Sequence, residues 1–238
     1  MQLIANIFSL LLLCPGVFSR PHKPSICDKY TVALFKDNTE ANQFALLTAL
    51  VNTAVIGNYS ATVNNVAVPG ILAPGTYQGT QVSLVGYFNG ALKTTNVNNK
   101  PGRTNFLDGG GAEPLKLNML PAPNSNQRGL LLHLYQLFGV LLGCSKQGGS
   151  TLGMYQGDAS LHETHKFMKI NRAQFGYFVD QVVASALSFG VDEEDAEVVR
   201  GALNNIFGFR NPKPYSLEAG LPAKDQSICI ASSCPRAY

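Results

Sequence analysis

Between Ser60 and Asn126 the chain is punctuated so densely by helix breakers that no long helix can run through it. Pro69-Gly70, Pro74-Gly75, Gly79, Gly86, Gly90, Pro101-Gly102 and Gly109-Gly110-Gly111 fall every few residues. Proline lacks the amide hydrogen and clashes with the preceding turn, and glycine loses the most backbone freedom on ordering. The segment 60–126 is therefore expected to hold turns, irregular loop and a few short strands, with Val82 to Phe88 the best strand. The triple glycine reads as a tight turn rather than a phosphate loop, because no Gly-Lys-Ser/Thr follows it.

Apolar periodicity flanks this stretch on both sides. A first helix is expected over 39–57: Thr39 can cap it, Phe44, Leu47, Val51, Ala54 and Val55 follow the helical period, and Gly57-Asn58 ends it. Residues 20–38 read as a Pro-containing lead-in. From Arg128, Leu130, Leu131, Leu134, Leu137, Phe138, Leu141 and Leu142 form a broad apolar face that stops at Gly143-Cys144. A Gly-rich loop covers 145–157, and a short helix follows near 158–168. Asn171 can cap the next helix, whose stripe is Phe175, Phe178, Val179, Val182, Val183, Ala186 and Leu187. A last helix starts near Asp192, with Glu193, Glu194 and Asp195 on its positive end and Val198, Val199, Ala202, Leu203, Ile206 and Phe207 facing inward. Residues 211–238 read as an extended tail. The pattern is that of a mainly α domain over 20–210 with a large loop-rich insertion.

Residues 1–19 carry an apolar run from Ile4 to Val17, with Val17-Phe18-Ser19 suited to cleavage, and are expected to be a secretory signal peptide. Four cysteines then remain, Cys27, Cys144, Cys229 and Cys234, an even number suited to an oxidising compartment. Three pairings are possible, and free thiols are the alternative. The favoured set joins Cys229 to Cys234 and Cys27 to Cys144. Asn58-Tyr59-Ser60 is a glycosylation sequon that gains weight from a leader. The net charge of +3 is small, and no basic stripe interleaves with aromatics, so composition gives nucleic-acid binding no support. No later segment reaches membrane-spanning length.

The chemistry-bearing residues concentrate at His162-Glu163-Thr164-His165. Zincin spacing needs histidines four apart, whereas these are three apart with no third ligand nearby, and the remaining histidines are His22 and His133. There is no Gly-x-Ser-x-Gly for nucleophilic hydrolysis, and the carboxylates of 192–197 are explained by helix-end stabilisation. A histidine on a short helix beside long apolar helices suits haem better than a bare hydrolytic metal, since a porphyrin needs one axial ligand and a large apolar slot.

His165-x-x-Met168-x-Ile170-x-x-x-x-Phe175, followed without a gap by Val182-Val183, Ala186, Phe189-Gly190-Val191 and Val198, resembles the truncated (2-over-2) globins. Leu130 to Cys144 is similar to that family's distal helix, and Tyr155-x-Gly157 to the Tyr-x-Gly before its proximal helix. The resemblance covers about 129–207 and implies a globin-like helical fold. It implies that His165 is the proximal iron ligand of a haem, with Met168, Phe175, Phe178 and Val182 walling the proximal side. It further implies that His133 lies on the distal helix, with Tyr135 and Gln136 as competing polar residues there. Lys166 and Lys169 would meet the propionates. The family's early tyrosine has no counterpart, since Leu50-Val51-Asn52 stands in that region. Asn52 could take the polar role, and Phe88 or Phe106 the place of the phenylalanine that wedges the haem.

The function so implied is a secreted haem-binding protein that binds a diatomic ligand, oxygen or nitric oxide, or carries haem. Two other functions fit the same residues. One is a haem-free extracellular structural or interaction module on the same fold. The other is a haem enzyme with peroxidase-like or nitric-oxide-consuming activity, for which His133 is the attractive acid–base group.

Overall fold

The computed structural model describes residues 23–60, 63–218 and 220–237. The expected signal peptide at 1–19 and His22 lie outside them. Eight helices and two small sheets occur among the described residues. No helix there is long and apolar enough to cross a membrane.

Helix α1 (Ile26–Phe35) corrects the lead-in expected over 20–38. Pro24 precedes the cap rather than interrupting the helix, and the Ser25 hydroxyl accepts from the Asp28 amide at 3.1 Å. Helix α2 (Glu40–Ile56) is capped by Thr39 and ends at Gly57, as its sequence implies. Helix α5 (Asn126–Leu142) is capped by Ser125 and closed by Gly143 in the left-handed conformation. The short α6 (Leu161–His165) carries the two histidines. Helix α7 (Arg172–Ser188) opens on a capping box in which Asn171 and Gln174 satisfy each other's backbone amides. Helix α8 (Glu193–Phe207) follows Asp192.

Helix α7 is the hub, packing on α2, on α8 and on the first hairpin, while α2 also packs on α1 and α5. The favoured disulfides are the ones formed. Cys27–Cys144 ties α1 to the end of α5, and Cys229–Cys234 closes a loop in the tail.

The breaker-rich insertion folds into two hairpins and two single helical turns. Strands β1 (Gly75–Tyr77) and β2 (Thr80–Val82) are joined by Gln78-Gly79, and β3 (Thr95–Val97) and β4 (Lys100–Gly102) by Asn98-Asn99. All four turn residues have positive φ, the hairpin turn that matches strand twist. Single turns α3 (Val85–Phe88) and α4 (Glu113–Lys116) complete it.

The strand expected over Val82 to Phe88 is therefore corrected: it ends at Val82 and the chain turns into α3. Leu84, Tyr87 and Phe88 sit three and four apart, so helical spacing, not alternation, brings them onto one cavity. A close approach anchors the insertion to α2. Gly57 and Gly70 both have φ of +85°, and a Cβ on Gly70 would collide with the Gly57 amide. Only glycine fits there.

Among the described residues of 211–237 there is no helix or strand, in keeping with the prolines, yet the tail is packed. Leu217, Gln226, Ser227, Cys229 and Cys234 are buried.

Candidate functional site

A cavity of about 230 Å³ lies between α5, α6, α7 and the insertion. Helix α5 contributes Leu130, Leu134, Leu137, Phe138 and Leu141 from the apolar face read from its period, together with His133. Helix α6 and the loop after it contribute Leu161, Thr164, His165, Met168 and Ile170. Gln174, Phe175 and Phe178 of α7 and Leu203 and Phe207 of α8 close another wall. The insertion adds Leu84, Tyr87, Phe88, Thr94, Thr95 and Phe106. Apolar cavities with few convergent polar groups are the usual form of a small-molecule site.

His165 is the polar group whose state the geometry determines. Its Nδ1 lies 2.7 Å from the carbonyl oxygen of Leu161, one helical turn back. A carbonyl can only accept, so Nδ1 carries the proton and Nε2 holds a lone pair. Nε2 has no hydrogen-bond partner among the described residues. Burial pulls the His165 pKa below its ordinary value, a pull that the Leu161 carbonyl opposes and neighbouring His162 reinforces. The side chain is thus a neutral imidazole in the wall of an apolar cavity.

His162 belongs to a different environment. Its Nδ1 lies 3.1 Å from the Ser227 hydroxyl and 3.7 Å from Asp225. The two histidines of α6 do not converge, and no group of three or more His, Cys, Asp or Glu that could hold a bare ion occurs among the described residues.

His133 lines the cavity while keeping exposed surface, which puts it at the rim. Its ring stands edge-on to Tyr155, centroids 6.3 Å apart, and partial burial lowers its pKa. Met168, Phe175 and Phe178 line the same cavity, as do both Phe88 and Phe106.

Tyr135 and Val182 do not line it. Tyr135 is fully buried on the opposite side of α5, donating its hydroxyl to Asn52 Oδ1 at 2.7 Å and packing edge-on against Phe44. Tyr135 and His133 are two residues apart on one helix, so both cannot face the same space. Asn52 is occupied there too, donating to the Leu115 carbonyl at 3.1 Å. Gln136 accepts from the Gln156 amide at 3.0 Å. Val182 lines a second, small apolar cavity of about 50 Å³ between α1, α2, α5, α7 and α8, which shares Ile71, Leu134, Phe138 and Phe178 with the first. Lys166 is paired with Glu163 at 2.7 Å and Asn99 at 2.6 Å, and Lys169 is exposed.

The insertion and tail supply the residues that periodicity could not reveal. The Tyr87 hydroxyl donates to the Met168 carbonyl at 3.2 Å and receives the Gln174 amide at 3.3 Å, joining α3 to the loop after His165. Asn96 of β3 donates to the Glu163 carbonyl at 3.0 Å. Ile228 reaches the cavity from the tail.

Comparison with protein-family models, with curated proteins and with solved structures gives no match for the chain.

Proposed function

We propose that this is a secreted, globin-like haem-binding protein in which His165 is the axial ligand. The observation that carries the reading is the fixed tautomer of His165. Its Nδ1–H is committed to Leu161, which leaves the Nε2 lone pair unpartnered in a cavity wall. Histidine ligands of metals characteristically donate their other ring N–H to such an acceptor, which fixes the ring and raises its basicity. A single neutral imidazole is too few donors for a bare ion but sufficient for a metal that brings its own porphyrin.

The remaining residues fit that group. Met168, Phe175 and Phe178 offer apolar surface on the His165 side, and Phe88 and Phe106 offer aromatic rings from the insertion. Leu130, Leu134, Leu137 and Leu141 make the α5 wall apolar and exclude water from it. A haem held by His165 would supply iron chemistry able to bind a diatomic ligand such as oxygen or nitric oxide. Leucines along α5, with His133 only at the rim, favour reversible binding or haem carriage over peroxidase-like turnover, which needs a polar acid–base group at the reacting atoms. The two disulfides favour an oxidising, extracytoplasmic compartment, in keeping with secretion.

The test is a titration of the purified protein with haem, followed in the visible spectrum for wild type and His165→Ala. A stoichiometric Soret band in wild type alone supports the reading. No Soret shift in wild type, or equal shifts in both, removes His165 as the ligand.

A further inference from the structure

Helix α6 is five residues long, far too short to hold itself together, so the orientation of His165 must come from what surrounds it. Much of that support comes from the tail. Gln226 is 1% exposed, and its Oε1 accepts the Leu161 amide at 2.9 Å. Its Nε2 donates to the carbonyls of Ala159 at 2.8 Å and Tyr215 at 3.0 Å. Gln226 thus grips the chain on both sides of the Ser160 cap, and Ser160 itself donates to the Asp225 carbonyl at 2.7 Å.

Leu161 is the pivot. Its amide hydrogen bonds to Gln226, and its carbonyl oxygen receives Nδ1–H of His165. Any rotation of the backbone at Ser160 and Leu161 that follows loss of the first bond moves the acceptor of the second. Beyond α6 the same strap continues, with the Ile230 and Ala231 amides both 3.1 Å from the Ile170 carbonyl and the Cys229–Cys234 disulfide closing the loop that carries them.

We propose that Gln226 is a positioning residue for His165, acting through Leu161 to fix the tautomer and direction of the imidazole. Its functional meaning rests on His165 ligating haem, but the coupling itself is a property of the haem-free chain. A buried amide suits the task because it offers one acceptor and two donors, and all three are engaged. An apolar side chain there would leave the Leu161 amide and the Ala159 carbonyl unpaired, while the Tyr215 carbonyl would keep only the Lys224 amide.

The coupling is tested in the haem-free, full-length protein by the imidazole nitrogen resonances of His165 and the exchange rate of the Leu161 amide. In Gln226→Met, the Nδ1–H form of His165 gives way to mixed tautomers and Leu161 exchange quickens at least tenfold. Gln226→Glu provides the rescue. A buried glutamic acid is held protonated, keeps an oxygen for Leu161 and one donor, and retains the wild-type His165 signals. Arg210→Ala loosens the tail elsewhere, since Arg210 Nε donates to the Cys234 carbonyl at 2.9 Å, and leaves His165 unchanged.

With haem added, Gln226→Met loses it about 10–100 times more readily, the usual effect of removing a group that orients a ligand. Unaltered His165 signals in Gln226→Met, or equal changes in Gln226→Glu or Arg210→Ala, overturn the proposal. Altered signals in Gln226→Met in a protein that takes up no haem support the positioning role and reject the haem reading.

Discussion

His165 and Leu161 are joined by a 2.7 Å hydrogen bond from imidazole Nδ1 to carbonyl oxygen, a bond that fixes which ring nitrogen is free. It also makes the protein's acid response readable. Burial lowers the pKa of His165, and of His133, below the ordinary 6.5. Each lowered group binds protons more readily in the unfolded chain than in the folded one, so stability rises with pH across the interval between the two pKa values. Their contribution is complete above about pH 6.5 and is lost as pH falls from there through the folded values.

Chemical denaturation between about pH 7.5 and 5 will therefore show falling stability, with a shallower slope in His165→Phe. Haem retention will decline over the same interval, because a proton on Nε2 competes for the lone pair. A second acid loss belongs to Asp192 and Asp195, whose carboxyls are held below 3.8 chiefly by Lys29. Their contribution disappears only below about pH 3.8, and Lys29→Met shrinks that phase while leaving the part held by Tyr30.

Tyr135 and His133 sit on one helix but serve opposite sides of it, and substitution separates them. Tyr135→Phe leaves Asn52 Oδ1 without its partner and costs about 1–3 kcal/mol of stability by denaturant melts. It leaves the haem spectrum unchanged, since Tyr135 does not line the cavity. His133→Leu is expected to do the reverse, altering the kinetics of diatomic-ligand binding with little effect on stability, because His133 makes no side-chain hydrogen bond among the described residues and sits at the rim.

This division shows what the sequence could disclose. The stripes of α2, α5, α7 and α8 are long enough for period to identify them, and their caps mark where they begin. Of the residues the resemblance groups together, His165, Met168, Phe175 and Phe178 line one cavity, while Val182 lines the other. A stripe gives the direction of a helix face only coarsely, so Tyr135 and His133 stood as equals until the fold separated them. Leu84 and Tyr87 are hidden by their surroundings, since a single helical turn has no period to detect, and Phe88 is reached only through the resemblance. Gln226 was illegible for a different reason. Its partners are backbone groups 65 and more residues away at Leu161 and Ala159, and backbone groups leave no side-chain pattern.

The two disulfides are expected to contribute unequally. Cys27–Cys144 spans 117 residues and Cys229–Cys234 only 5. In the chain-entropy account, their removal costs about 5 and about 2 kcal/mol respectively. Paired serine substitutions, compared by thermal melts, will show the larger fall for Cys27/Cys144. Equal falls would show that the short loop is valued for the tail it braces rather than for entropy.

Gly70→Ala tests the joint between insertion and core. The new Cβ meets backbone at Gly57 with φ at +85°, and no side chain can yield to make room. A loss of about 1–3 kcal/mol is expected on strain alone. Because Ile71 lines both cavities, haem affinity will fall with it. Unchanged melting would show that the Gly57–Gly70 approach is not required.

The most direct measurement is axial-ligand replacement at His165. His165→Gly removes the imidazole and leaves space beside the cavity, and free imidazole is then titrated in the presence of ferric haem. The account predicts a sharp, stoichiometric Soret band in wild type, weak and heterogeneous binding in His165→Gly, and recovery of the wild-type spectrum as imidazole is added. A His165→Gly protein that binds haem with wild-type affinity and spectrum, without imidazole, would contradict it.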